Sequence, residues 1–528
     1  MKKSKIKAVK GKDKKIQEKK DDVPKKVEKQ KKENVKNIEK GTNYDEYEID
    51  GGISHAKIKI TKNPEDNVKS YILETKKLNP ATAAFLEDIK SELLKKVSIT
   101  SQEALDIKMA QQLKDKFEQL GRELTRKRMP QISEEDLNSI ISHLINETLG
   151  LGELEFLLND DLLEEICVNS SQDPVWVYHR KHGWIKSNIY IPTENQIWNY
   201  SGAIARRVGR QINVQNPLLD AYLPSGDRVN ATLMPISSFG NTITIRKFAR
   251  RPWTITDHIR AKTTNSEIAA LLWLAIQYET NVIISGGTGS GKTSNLNVLS
   301  CFIPQNQRVV SIEQTREITL PSYLQWVPLT IRQPTNEGRG GVDMLDLMVN
   351  SLRMRPDRIV VGEIRRADEA QVLFEAMHTG HSVYATLHAE TVGETLRRLT
   401  NPPINIPKVM LESLHLIVTM YRDRRTGRRR IFEIGEVIPT ENEGVKSNII
   451  YRWKPSLDKI VPEKKSIRLM NAIKMYTNMS DKELKNDLNN RKKVLDWMVK
   501  ENINDVDRVG NIISQYYNDP SSVLKMVK

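Results

Sequence analysis

The sequence predicts an α/β domain built on a largely parallel sheet, preceded by a smaller α+β domain and a disordered, basic N-terminal tail. Three observations carry that expectation. Residues 259–440 alternate helix-like and strand-like segments, the pattern of strands joined by crossover helices. Residues 164–248 instead hold short β-like runs separated by turn signals. Residues 1–40 carry seventeen lysines against seven acidic residues and few large apolar side chains, too little to offset chain entropy.

Each segment follows from its composition. The tail is expected over 1–45. It holds no arginine, and it reads either as a contact for anionic lipid or nucleic acid or as a solubilising extension. Residues 1–40 account for +10 of the net charge of +15, so the rest of the chain is only mildly basic. Residues 46–147 are expected to be mostly helical. Leu105, Met109, Leu113, Phe117, Leu120 and Leu124 recur every three or four positions, and Ser133 with Asp136 forms a capping-type start before the stripe Leu137, Ile140, Ile141, Leu144 and Ile145. Over 148–258 the α+β domain is expected, with β-like runs EEICVNS (164–170), PVWVYHR (174–180), IYIP (189–192), RVNATLMPI (228–236) and NTITIRKF (241–248). Turns are expected at Pro224-Ser225-Gly226-Asp227 and Phe239-Gly240-Asn241. Residues 259–528 form the α/β domain, closing in helices from 462 onward, where Ser480 and Glu483 make a capping box.

Several classes are disfavoured. The longest apolar run, AALLWLAI (269–276), is far short of the ~18 residues that span a bilayer. The charged start MKKSKIKAVKGKDKK has no apolar core of a secretory signal, so a cytoplasmic protein is expected. Cys167 and Cys301 lie in different predicted domains without a C-x-x-C, which argues against a disulfide framework or a cysteine zinc site.

The decisive motif is VIISGGTGSGKT (282–293). An apolar strand runs into Gly286, Gly287, Thr288, Gly289, Ser290, Gly291, Lys292 and Thr293 and then into a helix. This is the Walker A pattern in its strand–loop–helix setting: glycines turn backbone N–H groups toward phosphate, Lys292 reaches the β- and γ-phosphates, and Thr293 offers a hydroxyl to Mg²⁺. ATP and Mg²⁺ are the expected cofactors. A second strand, RIVVGE (358–363), ends in Glu363, placed to polarise an attacking water. Gly362 stands where a Walker B aspartate would be. A third, RVVSIEQTRE (308–317), ends in Glu313 with Glu317 one turn on. These acids read either as water-mediated Mg²⁺ and water-positioning groups, Glu313 and Glu363 acting on the metal through water, or as a surface pair with Arg316.

The ordered set GGTGSGKT, IEQTREI, RPDRIVVGEIR and TGHSVYATLHA resembles the type II/type IV secretion-system ATPase superfamily. Upstream, LGLGELEFLLNDDLLEEICVN (149–169), VYHRKHGW (177–184), NPLLDAYLPSGDRVNATL (216–233) and TITIRKF (242–248) are similar to its N-terminal domain, and RRRIFEIGEV (428–437) continues the match. The likeness is nearest to the archaeal archaellum and pilus motors. Gln314 departs from it, since an aspartate is frequent after the first glutamate of the acidic box. The resemblance implies a RecA-like P-loop domain and a hexameric ATPase motor that powers a pilus-like or archaellum filament, or type II-like secretion, through a polytopic membrane platform protein. It implies a cytoplasmic motor held at the inner membrane face by partners. It also implies arginines reaching the γ-phosphate, matched here by Arg228 and Arg246, with Arg206, Arg207 and Arg210 behind them. The alternative is a RecA-like nucleic-acid translocase or DNA-transfer ATPase, which the near-neutral charge after the tail disfavours; a nucleotide-binding scaffold without hydrolysis is a third reading.

Three of the nine histidines fall in MHTGHSVYATLHAE (377–390). With no cysteine nearby and no H-E-x-x-H, a metal set is a poor explanation. A helix over 368–377, a turn at Gly380 and a strand SVYATLH would carry His388 to the sheet edge of Glu363. His388, and with it His381, is expected to sense the γ-phosphate, while His378 caps a helix end.

Overall fold

The computed structural model describes residues 42–527 apart from 51–54, 65, 76–79, 97–106, 224, 249–250, 333, 335–338 and 441–443. The tail before residue 42 and Pro224 of the expected turn lie outside the described residues. Two compact units are present, Met1–Arg250 and Arg251–Lys528.

The first unit carries a nine-stranded sheet in the order β1-β2-β3-β6-β5-β4-β9-β8-β7. Its strands are β1 (Thr42–Asp50), β2 (His55–Lys62), β3 (Ser70–Glu74), β4 (Leu163–Val168), β5 (Trp176–His179), β6 (Gly183–Ser187), β7 (Leu218–Tyr222), β8 (Arg228–Thr232) and β9 (Thr242–Arg246). Neighbours pair antiparallel except β3 with β6. Three of these strands precede the helices in the segment 46–147 expected to be mostly helical, and β1 begins at Thr42, inside the span expected as tail. The cause is legible in HAKIKITK: Ala56, Ile58 and Ile60 face the core while the lysines between them face out, the period-two pattern of a one-sided strand. The segment is fastened at Asp160, whose Oδ2 accepts from the Tyr47 hydroxyl at 2.7 Å and the Tyr71 hydroxyl at 2.8 Å. The expected helices follow at Pro80–Lys96, Ile107–Arg128 and Glu134–Thr148, packed on a core of their own around Leu93, Phe117, Leu124 and Ile141. Ser133 caps the third, accepting from the Asp136 N–H at 3.1 Å. The run IYIP is no strand: Ile189 and Ile191 are buried, but the pairing belongs to Gly183–Ser187, and the Ile189 carbonyl accepts from Val175 N at 2.9 Å.

The second unit begins before residue 259. Thr254 and Asp257 form a capping box for the helix Ile255–Arg260, and Arg251 pairs with Asp257 at 3.0 Å. Its sheet contains β10 (Val282–Gly286), β11 (Arg308–Glu313), β12 (Gln325–Thr330), β13 (Arg358–Val361), β14 (Ser382–Leu387), β15 (Leu416–Arg422), β16 (Arg429–Thr440), β17 (Gly444–Lys454) and β18 (Lys459–Pro462). They lie in the order β12-β11-β13-β14-β10-β15-β16-β17-β18. From β12 to β15 every pair is parallel; from β15 onward the pairs are antiparallel. This is the expected RecA-like α/β sheet with an antiparallel extension. Both faces are covered, as a parallel sheet requires: Val282, Ile284, Val360 and Val418 enter one core layer, and Ile283, Val310, Val361 and Ala385 the other.

The apolar run 269–276 lies in the helix Ser266–Gln277, which is buried along nearly its whole length. Trp273 stacks on Phe302 with centroids 5.6 Å apart, and its indole N–H donates to the Tyr517 hydroxyl at 2.8 Å. The C-terminal helices Arg468–Thr477, Asp481–Lys500, Val506–Asn518 and Pro520–Met526 follow, and the capping box of Ser480 and Glu483 is present. No helix among the described residues is long and apolar enough to cross a membrane.

Candidate functional site

Parallel strands bring their carboxyl ends to one edge of the sheet, and that edge collects the charged residues of the motifs. Gly286 ends β10 and the helix Lys292–Ser300 starts six residues later, with Thr293 in its first turn. Between them Gly289 has φ +69°, a left-handed conformation that glycine adopts without a Cβ penalty. Ser290 closes the turn, its hydroxyl donating to the Gly287 carbonyl at 2.8 Å. The Lys292 ammonium donates back to the carbonyls of Gly286 at 3.0 Å and Gly287 at 3.1 Å.

Lys292 is also the first member of a chain of contacts. His388 Nδ1 lies 3.2 Å from the Lys292 ammonium, and His388 Nε2 lies 2.8 Å from Glu363 Oε1. An ammonium only donates, so Nδ1 accepts and Nε2 holds the ring proton, which it donates to Glu363. Burial and then the Lys292 charge lower the His388 pKa below its ordinary value, which favours this neutral tautomer. The second Glu363 oxygen is held by Arg365, at 2.8 Å from Nε and 2.6 Å from Nη2. Arg365 Nη1 donates to Gln314 Oε1 at 2.8 Å. Glu363 is thus suspended between an imidazole and a guanidinium. The strand ends supply the spacing: the Gly362 N–H donates to the Ile312 carbonyl at 2.9 Å, and the Thr386 hydroxyl donates to the Gly362 carbonyl at 2.5 Å.

The two acids of the 308–317 box have different settings. Glu313 is 2% exposed and its Oε1 accepts from the N–H groups of Glu317 at 2.9 Å and Ile318 at 3.0 Å. Its Oε2 is buried with no hydrogen-bond partner, and burial pushes its carboxyl up to about 7. Glu317 is exposed, and the Arg316 guanidinium lies 4.9 Å from the centre of the Trp326 ring. A buried carboxylate oxygen without a donor, beside the Glu363 loop, suits a hydrated cation; with the Thr293 hydroxyl at the start of the loop helix, the residues fit Mg²⁺ held largely through water.

Other expected residues lie elsewhere. Arg228 and Arg246 are direct cross-strand partners in the first unit, on β8 and β9. Arg228 is held by Asp220 through a two-pronged pair at 3.0 and 2.7 Å, and Arg246 is exposed. Arg207 donates to the Leu149 carbonyl at 2.6 Å and Arg210 to the Asp220 carbonyl at 2.8 Å, both shaping backbone, while Arg206 is exposed. His381 corrects the expectation for it. It precedes β14, whereas His388 follows it, and six residues at ~3.3 Å each separate the two by about 20 Å. The His381 ring meets the Thr379 hydroxyl at 3.1 Å and the Ala376 carbonyl at 3.3 Å, so it belongs to the helix-end turn at Gly380. His378 closes the helix Ala367–His378 as expected.

Four contributors were missed in the sequence. Arg365 sits two positions after Glu363, a spacing that carries no directional signal in a loop. His258, buried on the helix Ile255–Arg260, lies 3.3 Å from the Ser294 hydroxyl of the loop helix. Arg422 and Arg429, at the ends of β15 and β16, back the phosphate-binding loop; the run YRDRRTGRRR (421–430) was the available sign.

Several known proteins are similar to this chain. The family described as "Type II/IV secretion system protein" matches residues 149–450. An uncharacterized protein of Methanocaldococcus jannaschii is 33% identical over 394 residues, 73% of this chain and 71% of its own, in agreement with the archaeal branch. The type IV secretion system protein PtlH of Bordetella pertussis is 32% identical over 52% of this chain and 89% of its own. The VirB11 ATPase structure of the Brucella suis type IV secretion system is 26% identical, covers 52% of this chain and 90% of its own, and has a TM-score of 0.27. The family match spans more than half of the 528 residues, and the chain belongs to the type II/IV secretion system protein family.

Proposed function

We propose that the chain is an Mg²⁺-dependent ATPase that works as a homo-hexameric motor. It drives assembly of a pilus-like or archaellum filament, or a type II-like secretion step, through a polytopic membrane platform protein on the cytoplasmic face. The observation that carries this reading is the continuous chain Lys292–His388–Glu363–Arg365, which joins the phosphate-binding loop to a carboxylate able to take a proton from water. Bound Mg²⁺ would neutralise phosphate charge. Thr293 would hold it directly, and Glu313 and Glu363 through water. The γ-phosphate draws the Lys292 ammonium from the Gly286 and Gly287 carbonyls. His388 loses its lysine contact at the same moment, and Glu363 is repositioned toward the water. Arg228 and Arg246 supply positive charge to the transition state once the first unit closes on a nucleotide. The lysine tail adds attraction to anionic lipid.

The test is turnover with binding read separately. Glu363→Gln is expected to bind fluorescent ATP normally and lose about 10²–10⁴ in turnover, the range of general-base catalysis. Unchanged turnover would make Glu363 a structural residue. Arg228→Ala and Arg246→Ala are expected to keep nucleotide affinity and lose most turnover, and chelation of Mg²⁺ to stop it. Stimulation by DNA rather than by the platform protein would favour the translocase reading.

A further inference from the structure

We propose that Arg422 and Arg429 are positioning residues of the phosphate-binding loop, holding the Gly289 peptide in the orientation that receives nucleotide phosphates; this rests on the nucleotide-hydrolysing reading above. The hairpin of β15 and β16 brings them there. β15 runs parallel to β10 with Gly286 opposite Met420, so Arg422 continues the strand alongside the loop. Arg429 faces Arg422 directly across the antiparallel ladder. Directly opposed residues put their side chains on one face, and here that face is the one under the loop.

Both guanidiniums reach Gly289, Arg429 at its carbonyl and Arg422 beside its Cα. Arg429 Nε donates to the Gly289 carbonyl at 3.1 Å. Arg422 Nη1 lies 2.6 Å from where a Cβ on Gly289 would stand. Gly289 is required for its φ of +69°, and the end of the Arg422 side chain occupies the space where a Cβ there would stand. The consequence follows from the planar trans peptide. With the Gly289 carbonyl turned onto Arg429, the Ser290 N–H on the same peptide points to the opposite side, the inside of the loop. That N–H now makes a long 3.3 Å contact to the Gly287 carbonyl, one that a phosphate oxygen can replace. Two like charges directly opposed across a ladder repel; a bound polyphosphate beside them relieves that repulsion. Their neighbour Arg430 has a different task. It forks onto Asp458 at 2.8 and 2.9 Å and fixes the outer strands.

The experiment measures affinity for fluorescent ADP and ATP, and turnover at saturating ATP, in the full chain. Arg422→Ala and Arg429→Ala are each expected to weaken affinity about fivefold, the order of one hydrogen bond, with turnover at saturation changing less. The double variant is expected to lose less than the product of the single losses, because both act on one residue. Arg429→Lys keeps the charge and loses the planar fork, so its affinity should lie nearer Arg429→Ala than wild type. Lysine affinity equal to wild type would reduce the role to charge alone and overturn positioning, as would unchanged affinity in the alanine variants. Should the alanine variants fail to fold, the lysine variants at both positions decide by the same criterion. Failure of the underlying reading looks different: wild-type protein would then neither bind nor hydrolyse ATP.

Discussion

Both edges of the second unit's sheet carry polar and charged side chains and use them in opposite ways. At the carboxyl edge, Lys292, His388, Glu363 and Arg365 hold one another in contacts that a phosphate can exchange, and Glu313 keeps one buried oxygen without a donor. At the amino edge, most polar groups are committed to the fold, Arg358 Nη2 being a buried atom without a hydrogen-bond partner, 3.8 Å from Glu279. Arg358, fully buried at the start of β13, donates to Gln307 at 2.7 Å, to Ser382 at 2.8 Å and to Tyr384 at 2.5 Å. Asn281 accepts from the Val383 N–H at 2.8 Å and donates to the Ser413 carbonyl at 2.8 Å, and its own N–H donates to His415 Nδ1 at 3.2 Å. A cluster of charged residues is therefore no guide to chemistry until its place along the strands is known.

The comparison is tested hardest at Arg358. Arg358→Ala removes a buried charge and the donor shared by Gln307 Oε1, Ser382 and Tyr384, while the Tyr384 hydroxyl keeps Ser382 at 3.0 Å and the Gln307 amide N–H keeps Glu279 at 2.6 Å. A loss of about 3–5 kcal/mol is expected, as for other broken buried charge networks, with the melting temperature falling on the order of 10 °C. Nucleotide affinity per folded molecule should not change. A variant that melts like wild type but no longer binds ATP would erase the distinction between the edges.

Acid tests the amino edge at His415, and the loop helix at His258, more gently. Burial lowers the pKa of His415 and of His258 to about 4. In each case the folded state binds its proton less readily than the unfolded chain, whose histidines titrate near 6.5. The stability these neutral rings contribute is whole above pH 6.5 and is lost as pH falls through that value toward 4, by up to ~3 kcal/mol each. Melting temperature should decline steadily below pH 6.5, and His415→Gln, which keeps an acceptor for the Asn281 N–H, should flatten part of the slope. A flat melting profile between pH 7 and 5 would show that these rings stay accessible to protons.

Much of the carboxyl edge was legible in the sequence because its signals are local. The phosphate-binding loop announces itself in eight consecutive residues, and Glu363 follows the three apolar strand residues Ile359, Val360 and Val361, with Gly362 between. What stayed hidden depends on strand order. Arg422 and Arg429 lie more than a hundred residues from Gly289 and meet it only because β15 pairs with β10. The first three strands were hidden for another reason. Their alternation is clear in HAKIKITK, but β1 is almost wholly polar, TNYDEYEID, and the strong helical stripes after it set the expectation for the whole segment.

β14 carries the comparison on one element. His388 at its end touches both Lys292 and Glu363, and His388→Ala is expected to lower turnover about 10–100-fold, because Glu363 keeps Arg365 but loses its link to the loop.

His381, at the other end of the same strand, gives the smallest expected effect and the sharpest control. Its ring contacts only the turn that precedes the strand, at Thr379 and Ala376, and the Gly380 backbone has already made that turn with φ +94°. The Ala376 carbonyl retains the His381 backbone N–H at 3.0 Å whatever the side chain. His381→Ala should therefore leave turnover and nucleotide affinity within about twofold of wild type and cost no more than an exposed substitution, within ~0.5 kcal/mol. A tenfold loss of turnover without loss of stability would mean that the amino edge also reads the nucleotide, and the division between the two edges would have to be abandoned.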